Sequence, residues 1–404
     1  MKKHIIKSKA EGEVTIPSSK SYAHRLLIAA ALCKDKTSII RRITPSEDVL
    51  ATIDCLSELG AKIEYDGDTA TVIGFDPLTA EPKRPLNCRE SGSTLRFLIP
   101  IAMLSGNKVE FIGTKRLMAR SQDVYERLAR EEGLLFTHEA DKITVRGRLI
   151  AKEYFVDGNV SSQFISGMLF ALSTLSGDSR IIINRRLESE PYVNMTISAM
   201  KDFGVRVYRE DRYSFFTFGG QEYKAKDITV EGDWSAAAFM LALNHLGGKV
   251  KLCGLNESSL QGDSQCTRLF TLIDEGCPEI DLADCPDLAP IMFTMAAIKN
   301  GARFTGTKRL RDKESDRIAT MQTELSKFGA LITAEDDCVT VEKRELHAPS
   351  EPLYGHNDHR VVMSLTVIST LFGGEIDGCE AVKKSYPDFY KDIKALGIKI
   401  YEVN

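Results

Sequence analysis

One short stretch near the start of the sequence combines hydroxyl and cationic side chains in an order suited to binding anions. Residues 18–25, SSKSYAHR, place Lys20, Ser21 and Arg25 directly before the apolar run LLIAAAL. Small hydroxyl residues ahead of such a run are typical of a helix N-terminus. The backbone N–H groups and the positive end of the helix dipole attract phosphate or carboxylate there. We therefore predict an anion-binding site at the start of this helix, and a solvated first turn with two surface cations is the alternative.

A second stretch, KRLRDKESDR, mixes cations with carboxylates. Its Lys313 and Arg317 are four residues apart and share a face if the segment is helical. Glu314 lies between them, and Asp287 and His359 occur near other predicted helix starts. Titratable groups beside an anion site are candidates for proton transfer. A surface loop joined by salt bridges is the alternative explanation of the run.

These residues belong to a pattern that recurs six times. Each copy has a nearly apolar helix, a short strand, an amphipathic helix and one or two further strands, and the apolar helices begin near residues 24, 95, 164, 236, 289 and 360. Helices that are apolar on all sides are expected to be buried. Units of this size that cannot bury their own faces pack against each other. The sequence predicts an α/β fold of six copies, three per domain, and an α/β chain without repeats is the alternative.

Each amphipathic helix is followed by a glycine. We expect these glycines at the C-terminal ends of the helices in the left-handed conformation, which glycine adopts without strain. They are Gly60, Gly133, Gly204, Gly276, Gly329 and Gly397.

The six copies divide near Glu231-Gly232. We predict a first domain of residues 1–17 and 232–404 and a second domain of residues 18–231. The N-terminal strand, residues 4–16, has no copy of its own and is expected to pair with the C-terminal half. The six helix N-termini are predicted to face a cleft between the domains. Repulsion among the cations gathered there would be relieved by anionic substrates, which would drive the domains to close.

Composition excludes several other classes of protein. The net charge of −4 provides no general attraction for nucleic acid. The nine cysteines form no CxxC pair, which favours reduced thiols and argues against zinc. The N-terminus lacks the apolar segment of a secretory signal, and no run reaches the roughly 18 apolar residues of a membrane span. Neither a Walker A motif nor GxGxxG is present, so no nucleotide cofactor is predicted. Together these observations predict an intracellular protein without a metal or nucleotide cofactor.

Eight motifs resemble those of one enzyme family in order and approximate spacing. They are SKSYAHR, SGSTLR, VSSQF, SEPY, CPDLAP, DKESDR, NDHR and KKSYPDFY, and the family is 5-enolpyruvylshikimate-3-phosphate synthase. The resemblance implies a two-domain inside-out α/β barrel built from six βαβαββ repeats. It also implies transfer of the enolpyruvyl group of phosphoenolpyruvate to the 5-hydroxyl of shikimate 3-phosphate, with release of phosphate, on the route to chorismate and the aromatic amino acids. We expect a cytoplasmic monomer that needs no cofactor.

The resemblance also assigns residues to roles. Those implied to bind shikimate 3-phosphate are Lys20, Ser21, Arg25, Ser161, Ser162, Gln163, Ser189, Tyr192, Asp287 and Lys313. Those implied to bind phosphoenolpyruvate are Lys20, Gly92, Arg120, Gln163, Arg317, Arg360 and Lys384. Those implied to act in the chemistry are Asp287 as the base at the 5-hydroxyl, Glu314 at the methylene carbon, His359 close to it, and Lys20.

The sequence departs from the family pattern at four positions. Glu90, Ser93 and Phe97 stand where Asn, Thr and Pro are frequent, and Arg309 stands where an Asn commonly contacts shikimate 3-phosphate. That contact is therefore not transferred to this chain.

Two other functions remain as alternatives. One is enolpyruvyl transfer to UDP-N-acetylglucosamine, but those enzymes carry a reactive Cys in a loop that here, from Gly113 to Arg120, contains none. The other is a non-catalytic module that binds anions. The presence of Lys20, Asp287, Glu314 and Arg317 argues against it.

Overall fold

The computed structural model describes residues 1–403, which form two compact units. Unit 1 contains residues 1–17 and the chain from Gly232 onwards, and unit 2 contains Ser18–Glu231. Among residues 1–403, none of the helices has the length and apolarity that crossing a lipid bilayer requires.

The α-helices follow the repeat pattern along the chain. They are α1 (Lys20–Ala31), α2 (Glu47–Leu59), α3 (Gly92–Ala102), α4 (Lys115–Met118), α5 (Asp123–Glu131), α6 (Ser162–Leu172), α7 (Glu190–Asp202), α8 (Trp234–His245), α9 (Cys266–Glu275), α10 (Ala289–Ile298), α11 (Arg317–Ser326), α12 (His359–Phe372) and α13 (Phe389–Ala395). Short 3-10 helices occur at Pro77–Thr79, Gly262–Gln265, Pro286–Leu288, Lys308–Asp312 and Cys379–Lys384.

The strands are short. They are β1 (Lys2–Ile5), β2 (Glu11–Thr15), β3 (Thr37–Arg41), β4 (Lys62–Tyr65), β5 (Ala70–Ile73), β6 (Leu86–Asn87), β7 (Val109–Ile112), β8 (Leu135–His138), β9 (Lys142–Arg146), β10 (Glu153–Asp157), β11 (Ser179–Asn184), β12 (Val207–Arg209), β13 (Ser214–Thr217), β14 (Asp227–Thr229), β15 (Lys249–Cys253), β16 (Glu279–Asp281), β17 (Ala302–Thr305), β18 (Leu331–Ala334), β19 (Cys338–Glu342), β20 (Leu353–Tyr354), β21 (Gly374–Asp377) and β22 (Ile400–Val403).

Unit 2 repeats one sheet topology in three sheets. Their strand orders are β14-β3-β5-β4, β6-β7-β9-β8 and β10-β11-β13-β12. In each sheet the first two strands are parallel and the others are antiparallel. A parallel pair requires a crossover, and helices α3 and α6 supply it in two of the copies. In the remaining sheet β14, from the end of the unit, pairs with β3 near its beginning.

Unit 1 follows the same plan with two changes. The sheets β16-β17-β19-β18 and β20-β21-β1-β22 have four strands, and β1 lies between β21 and β22 in the second. Strand β2 pairs in parallel with β15. The prediction of one strand over residues 4–16 was therefore wrong, because the chain must leave one sheet after β1 to enter another at β2.

The fourth repeat is shorter than predicted. Among residues 1–403 its sheet contains β2 and β15 without a following antiparallel pair, and β16 belongs to the next copy. Each of the six sheets is separate, and no strand pairing in the described residues joins them into a closed barrel.

The apolar helices form the interior of each unit, as their composition predicted. Every residue of α10 from Ala289 to Ala297 is buried, and α3, α6 and α12 are nearly as enclosed. Each unit has its own large cluster of buried apolar side chains.

Five of the six helix-terminal glycines have positive φ, as expected. Gly276 is the exception, because its φ of 178° is extended backbone that any residue adopts.

Candidate active site

In unit 2 the start of α1 presents Lys20 beside a carboxylate. Ser19 caps the helix by accepting from the Tyr22 N–H. Lys20 Nζ lies 2.8 Å from Asp48 Oδ2, in the first turn of α2, and both side chains are only slightly exposed. Two helix N-termini are thus joined by one ion pair, which fixes where the Lys20 ammonium points.

Arg25 lies one turn further into the unit and is 2% exposed. Its guanidinium donates to the Ser21 carbonyl at 2.7 Å, to the Tyr192 carbonyl at 2.9 Å and to Thr196 Oγ1 at 2.8 Å. It also stacks over the Phe97 ring, with its Cζ 5.0 Å from the ring centre. Burial lowers the pKa of Arg25 to about 10. Arg25 therefore connects α1 to α7.

Gly92 opens helix α3 and lies against Arg120. Ser91 caps this helix through the Thr94 N–H. A Cβ atom at Gly92 would come within 2.6 Å of Arg120 Nη1. A side chain at this position would displace the Arg120 guanidinium, and the two residues predicted to bind phosphoenolpyruvate are therefore neighbours.

Gln163 is fixed in the first turn of α6. Its Oε1 accepts from Arg96 at 2.9 Å and its Nε2 donates to Ser93 Oγ at 2.9 Å, so both contacts reach α3. Ser161 caps α6 by accepting from the Gln163 N–H, and Ser162 is the first residue of the helix.

The start of α7 carries two further predicted residues. Ser189 precedes the helix with φ of 55°, a left-handed conformation that is uncommon outside glycine. Tyr192 lies in the first turn, and its ring is 5.8 Å from Arg25 Cζ. A non-glycine residue in this conformation at a helix start is a frequent feature of functional sites.

A buried neutral histidine begins a chain of hydrogen-bonded side chains that links helices α1, α2 and α3. His24 Nδ1 lies 2.7 Å from Thr52 Oγ1, which lies 2.6 Å from Thr94 Oγ1, which donates to Ser91 Oγ at 2.7 Å. Burial lowers the pKa of His24 to about 3. This chain of side chains holds α1, α2 and α3 in register.

In unit 1 one carboxylate collects three cations. Asp287 lies 2.8 Å from Arg317 Nη1, 3.0 Å from Arg360 Nη2 and 3.7 Å from Lys313 Nζ. Burial raises the pKa of Asp287, but Arg360, Lys313 and Arg317 together outweigh it and hold the pKa well below its ordinary value. Asp287 is therefore ionised at neutral pH.

Asp358 fixes the position of Arg317. It caps α12 by accepting from the Arg360 N–H, and it also accepts from Arg317 Nε at 2.9 Å and Ser315 Oγ at 3.1 Å. Burial raises the pKa of Asp358, but the Arg317 charge more than offsets it and the pKa is lowered. For Arg317, burial lowers the pKa, and Asp358 and Asp287 reverse that effect and raise it.

Glu314 brings His359 and Lys384 together. Its Oε2 lies 2.8 Å from His359 Nδ1 and 3.8 Å from Lys384 Nζ. Ligand atoms of Glu314, Asp358 and His359 lie within 4.8 Å of one another, a spacing that a metal ion could use. Arg317 already neutralises Asp358, however, so this set is poorly suited to a second cation.

Asp263 is a further buried acid near this cluster. It accepts a hydrogen bond from Ser235 Oγ and is 2% exposed. Burial, and then the Asp287 charge, raise its pKa to about 7.

Several of the predicted cations are paired with carboxylates. Lys20 pairs with Asp48, Arg317 with Asp287 and Asp358, and Lys384 lies near Glu314, so each of these ion pairs reduces the repulsion expected among the cations. No role of Asp48, Asp358 or Asp263 was predicted from the sequence. The only sequence signal for the first two is their place at a helix start, where carboxylates are common for capping alone.

Comparison with known proteins now places the chain. Residues 5–393 match the family model for EPSP synthase (3-phosphoshikimate 1-carboxyvinyltransferase). The chain belongs to the EPSP synthase family. The 3-phosphoshikimate 1-carboxyvinyltransferase of Clostridium perfringens is 38% identical over 420 residues, covering 98% of this chain and 99% of the relative. That of Clostridioides difficile is 37% identical over 430 residues, covering 99% and 98%.

The EPSP synthase fold is also found in the solved structures. An EPSP synthase from Acinetobacter baumannii superposes with a TM-score of 0.80 at 21% identity, covering 99% of this chain and 100% of that chain. The two-domain α/β fold and the transferase class predicted from the sequence are thereby confirmed. As a member of the EPSP synthase family, the chain catalyses enolpyruvyl transfer in the shikimate pathway.

Proposed function

We propose that Asp287 is the base that takes the proton of the 5-hydroxyl when shikimate 3-phosphate is the acceptor. The observation that carries this proposal is the contact of one partly buried carboxylate with Lys313, Arg317 and Arg360. These cations make Asp287 a weak base while they pair with it. Anionic substrates compete for the same cations, so binding raises the basicity of Asp287 when the hydroxyl is in place.

In this proposal phosphoenolpyruvate is bound by the cationic and polar residues that the resemblance assigns to it. Its carboxylate and phosphate suit guanidinium and ammonium groups, which bind compact anions by charge-assisted hydrogen bonds. The residues assigned to it are Lys20, Gly92, Arg120 and Gln163 of unit 2 and Arg317, Arg360 and Lys384 of unit 1.

Shikimate 3-phosphate is assigned to the helix starts of unit 2 and to two residues of unit 1. Helix N-termini with hydroxyl caps bind phosphate through backbone N–H groups and side-chain donors. The residues are Lys20, Ser21, Arg25, Ser161, Ser162, Gln163, Ser189 and Tyr192, with Asp287 and Lys313. Arg25 is already held by three protein acceptors, so we assign it to placing Tyr192 and Ser21 as well.

The chemistry proceeds by addition and elimination. The 5-oxygen attacks C2 of phosphoenolpyruvate while Asp287 takes its proton, and Glu314 delivers a proton to the methylene carbon. The new methyl group of the tetrahedral intermediate then returns a proton to Glu314, the C2–O bond to phosphate breaks, and the proton held by Asp287 passes to the departing phosphate. His359, 2.8 Å from Glu314, orients that carboxyl, and the Lys20 ammonium stabilises charge on the departing phosphate.

Phosphate release tests this assignment directly. The protein should release phosphate from phosphoenolpyruvate with shikimate 3-phosphate and not with UDP-N-acetylglucosamine. Release with the nucleotide sugar instead would support the sister reaction, and binding without release would support an anion-binding module. We further propose that the protein is a cytoplasmic monomer that is active without a metal or cofactor. Size-exclusion chromatography would test the monomeric state, and activity in the presence of a chelator would test the independence from metal.

A further inference from the structure

The turn that precedes helix α12 has an unusual backbone. His356 and Asn357 are consecutive non-glycine residues with φ of 48° and 54°. Left-handed conformations of such residues persist only where surrounding contacts hold them. Directly after this turn come Asp358 and Arg360, and the Lys384 ammonium donates to the Asn357 carbonyl. The turn therefore sets the position of two groups assigned to phosphoenolpyruvate, Arg360 and Lys384.

One buried carboxylate holds the turn. Glu324, in α11, has a side chain only 1% exposed, and its Oε1 accepts from His356 Nε2 at 2.9 Å. Its Oε2 accepts from the Tyr354 N–H at 2.9 Å and from Lys327 Nζ at 2.9 Å. Lys327 donates in addition to the Pro352 carbonyl at 2.9 Å. Glu324 and Lys327 thus fasten the chain from residue 352 to residue 356.

Helix α11 carries a second attachment to the same segment. Arg317 and Glu324 are seven residues apart, so they lie on the same face of the helix. Arg317 reaches Asp358 at 2.9 Å and Glu324 reaches His356 at 2.9 Å. Of the two left-handed residues, His356 is one of these attachments and Asn357 lies between them. The spacing of contacts on α11 therefore defines how α12 begins.

We propose that Glu324 is a positioning residue for phosphoenolpyruvate, acting through His356 and the strained turn on Lys384 and Arg360. This inference rests on the proposed assignment of those two cations to phosphoenolpyruvate. On α11, Glu324 lies two helical turns from Arg317, the residue of this helix that contacts Asp287. Its role in this proposal is to hold the backbone that positions Arg360 and Lys384.

Substitutions at His356 separate positioning from stability. His356 is 38% exposed at its side chain, so removing it leaves little buried space. His356→Ala should raise the KM for phosphoenolpyruvate by about fivefold or more, because misplaced binding groups lose affinity. The KM for shikimate 3-phosphate should stay within about twofold, because its proposed groups in unit 1 do not lie on the turn.

Two further variants exclude simple damage to the fold. His356→Gln retains a side-chain N–H for Glu324 and should restore most of the phosphoenolpyruvate KM. His356→Gly removes the backbone strain along with the contact, so it should keep or raise the thermal midpoint while still raising that KM. His347→Ala is the matched control, because His347 is exposed and its Nδ1 contacts the carbonyl of its neighbour Ala348.

The role of the Glu324 carboxylate is tested with a double variant that removes the charges of Glu324 and Lys327 together. In Glu324→Gln/Lys327→Met no lysine is left buried without its counter-charge, and glutamine offers one acceptor oxygen for two donors. Its phosphoenolpyruvate KM should rise as in His356→Ala, and adding His356→Ala should raise it little further, since both act on one contact.

Different experimental results would contradict this inference and the proposed function. Wild-type protein that releases no phosphate from the two substrates would contradict the proposed function and remove the basis of the inference. Active wild-type protein with an unchanged phosphoenolpyruvate KM in His356→Ala and His356→Gly would overturn the inference alone. In that case Glu324 would serve only to stabilise unit 1.

Discussion

The Lys20 ammonium lies 2.8 Å from the Asp48 carboxylate, and this pair joins the first turns of α1 and α2. A cation held in this way keeps a fixed direction at low entropic cost, so it is ready to meet an incoming phosphate. The same arrangement recurs in unit 1, where Asp358 fixes Arg317. In both units a carboxylate orients a cation that is assigned to substrate.

Replacing Lys20 tests that arrangement. Lys20→Met should lower kcat/KM by about 100-fold or more, because a preorganised charge at a reacting phosphate is lost. The thermal midpoint should change little. Lys34→Met is the matched control, since Lys34 forms an exposed ion pair with Asp76 at 2.9 Å. Equal activity losses in the two variants would contradict a specific role for Lys20.

Asp287 is tested by an isosteric change. Asp287→Asn should lower kcat by about 100- to 10,000-fold, as expected for loss of a general base. Steady-state phosphate release measures the loss, and circular dichroism checks the fold. Asp336→Asn, at a largely exposed carboxylate paired with Lys308, should be neutral. Near-normal turnover of Asp287→Asn would assign the proton transfer to another group.

The close approach at Gly92 makes a third prediction. In Gly92→Ala the new methyl group would lie 2.6 Å from Arg120 Nη1, so the guanidinium must move. The KM for phosphoenolpyruvate should rise by about 10- to 100-fold, while that for shikimate 3-phosphate should change far less. Gly276→Ala is the control, because that glycine has extended backbone and no atom within 4 Å of a Cβ. A normal KM would show that Arg120 does not touch this substrate.

Stability should depend on pH through His24. Its pKa falls from 6.5 to about 3 on folding, so below pH 6.5 the unfolded chain takes up a proton that the folded chain does not. The contribution is fully present above pH 6.5 and is lost at about 1.4 kcal/mol per pH unit as the pH falls towards 3.

Urea unfolding at pH 7.5 and pH 5 measures that contribution. His24→Asn should reduce the difference in unfolding free energy between the two pH values by about 2 kcal/mol. His347→Asn, at an exposed position, should leave the difference unchanged. An identical pH dependence in wild type and His24→Asn would show that His24 is not buried in its neutral form.

Local features of the fold were readable from the sequence and distant contacts were not. The caps Ser19, Ser91 and Ser161 depend on residues two or three positions away, and the sequence predicted helix starts a few residues after each of them. The incomplete fourth repeat was missed, because its two strands are separated along the chain by the whole of unit 2.

In the candidate site, too, local features were readable from the sequence and distant contacts were not. The resemblance supplied the cations, but the partners that fix them are 28 residues away for Lys20 and 73 for Arg360. Side-chain pairing over such separations depends on how the helices pack, which periodicity alone does not specify. The left-handed turn at His356 was missed for a related reason, since nothing in its local sequence demands that conformation.

The interleaving of the two units along the chain has a consequence for biosynthesis. Unit 2 is one continuous segment, whereas β1 and β2 are made before it and pair with strands made after it. During translation unit 2 is complete on the ribosome while these two strands still lack their partners, and domains generally fold as they emerge. Unpaired strand edges are prone to association with other chains, so the nascent N-terminal segment is where we expect a chaperone to be needed.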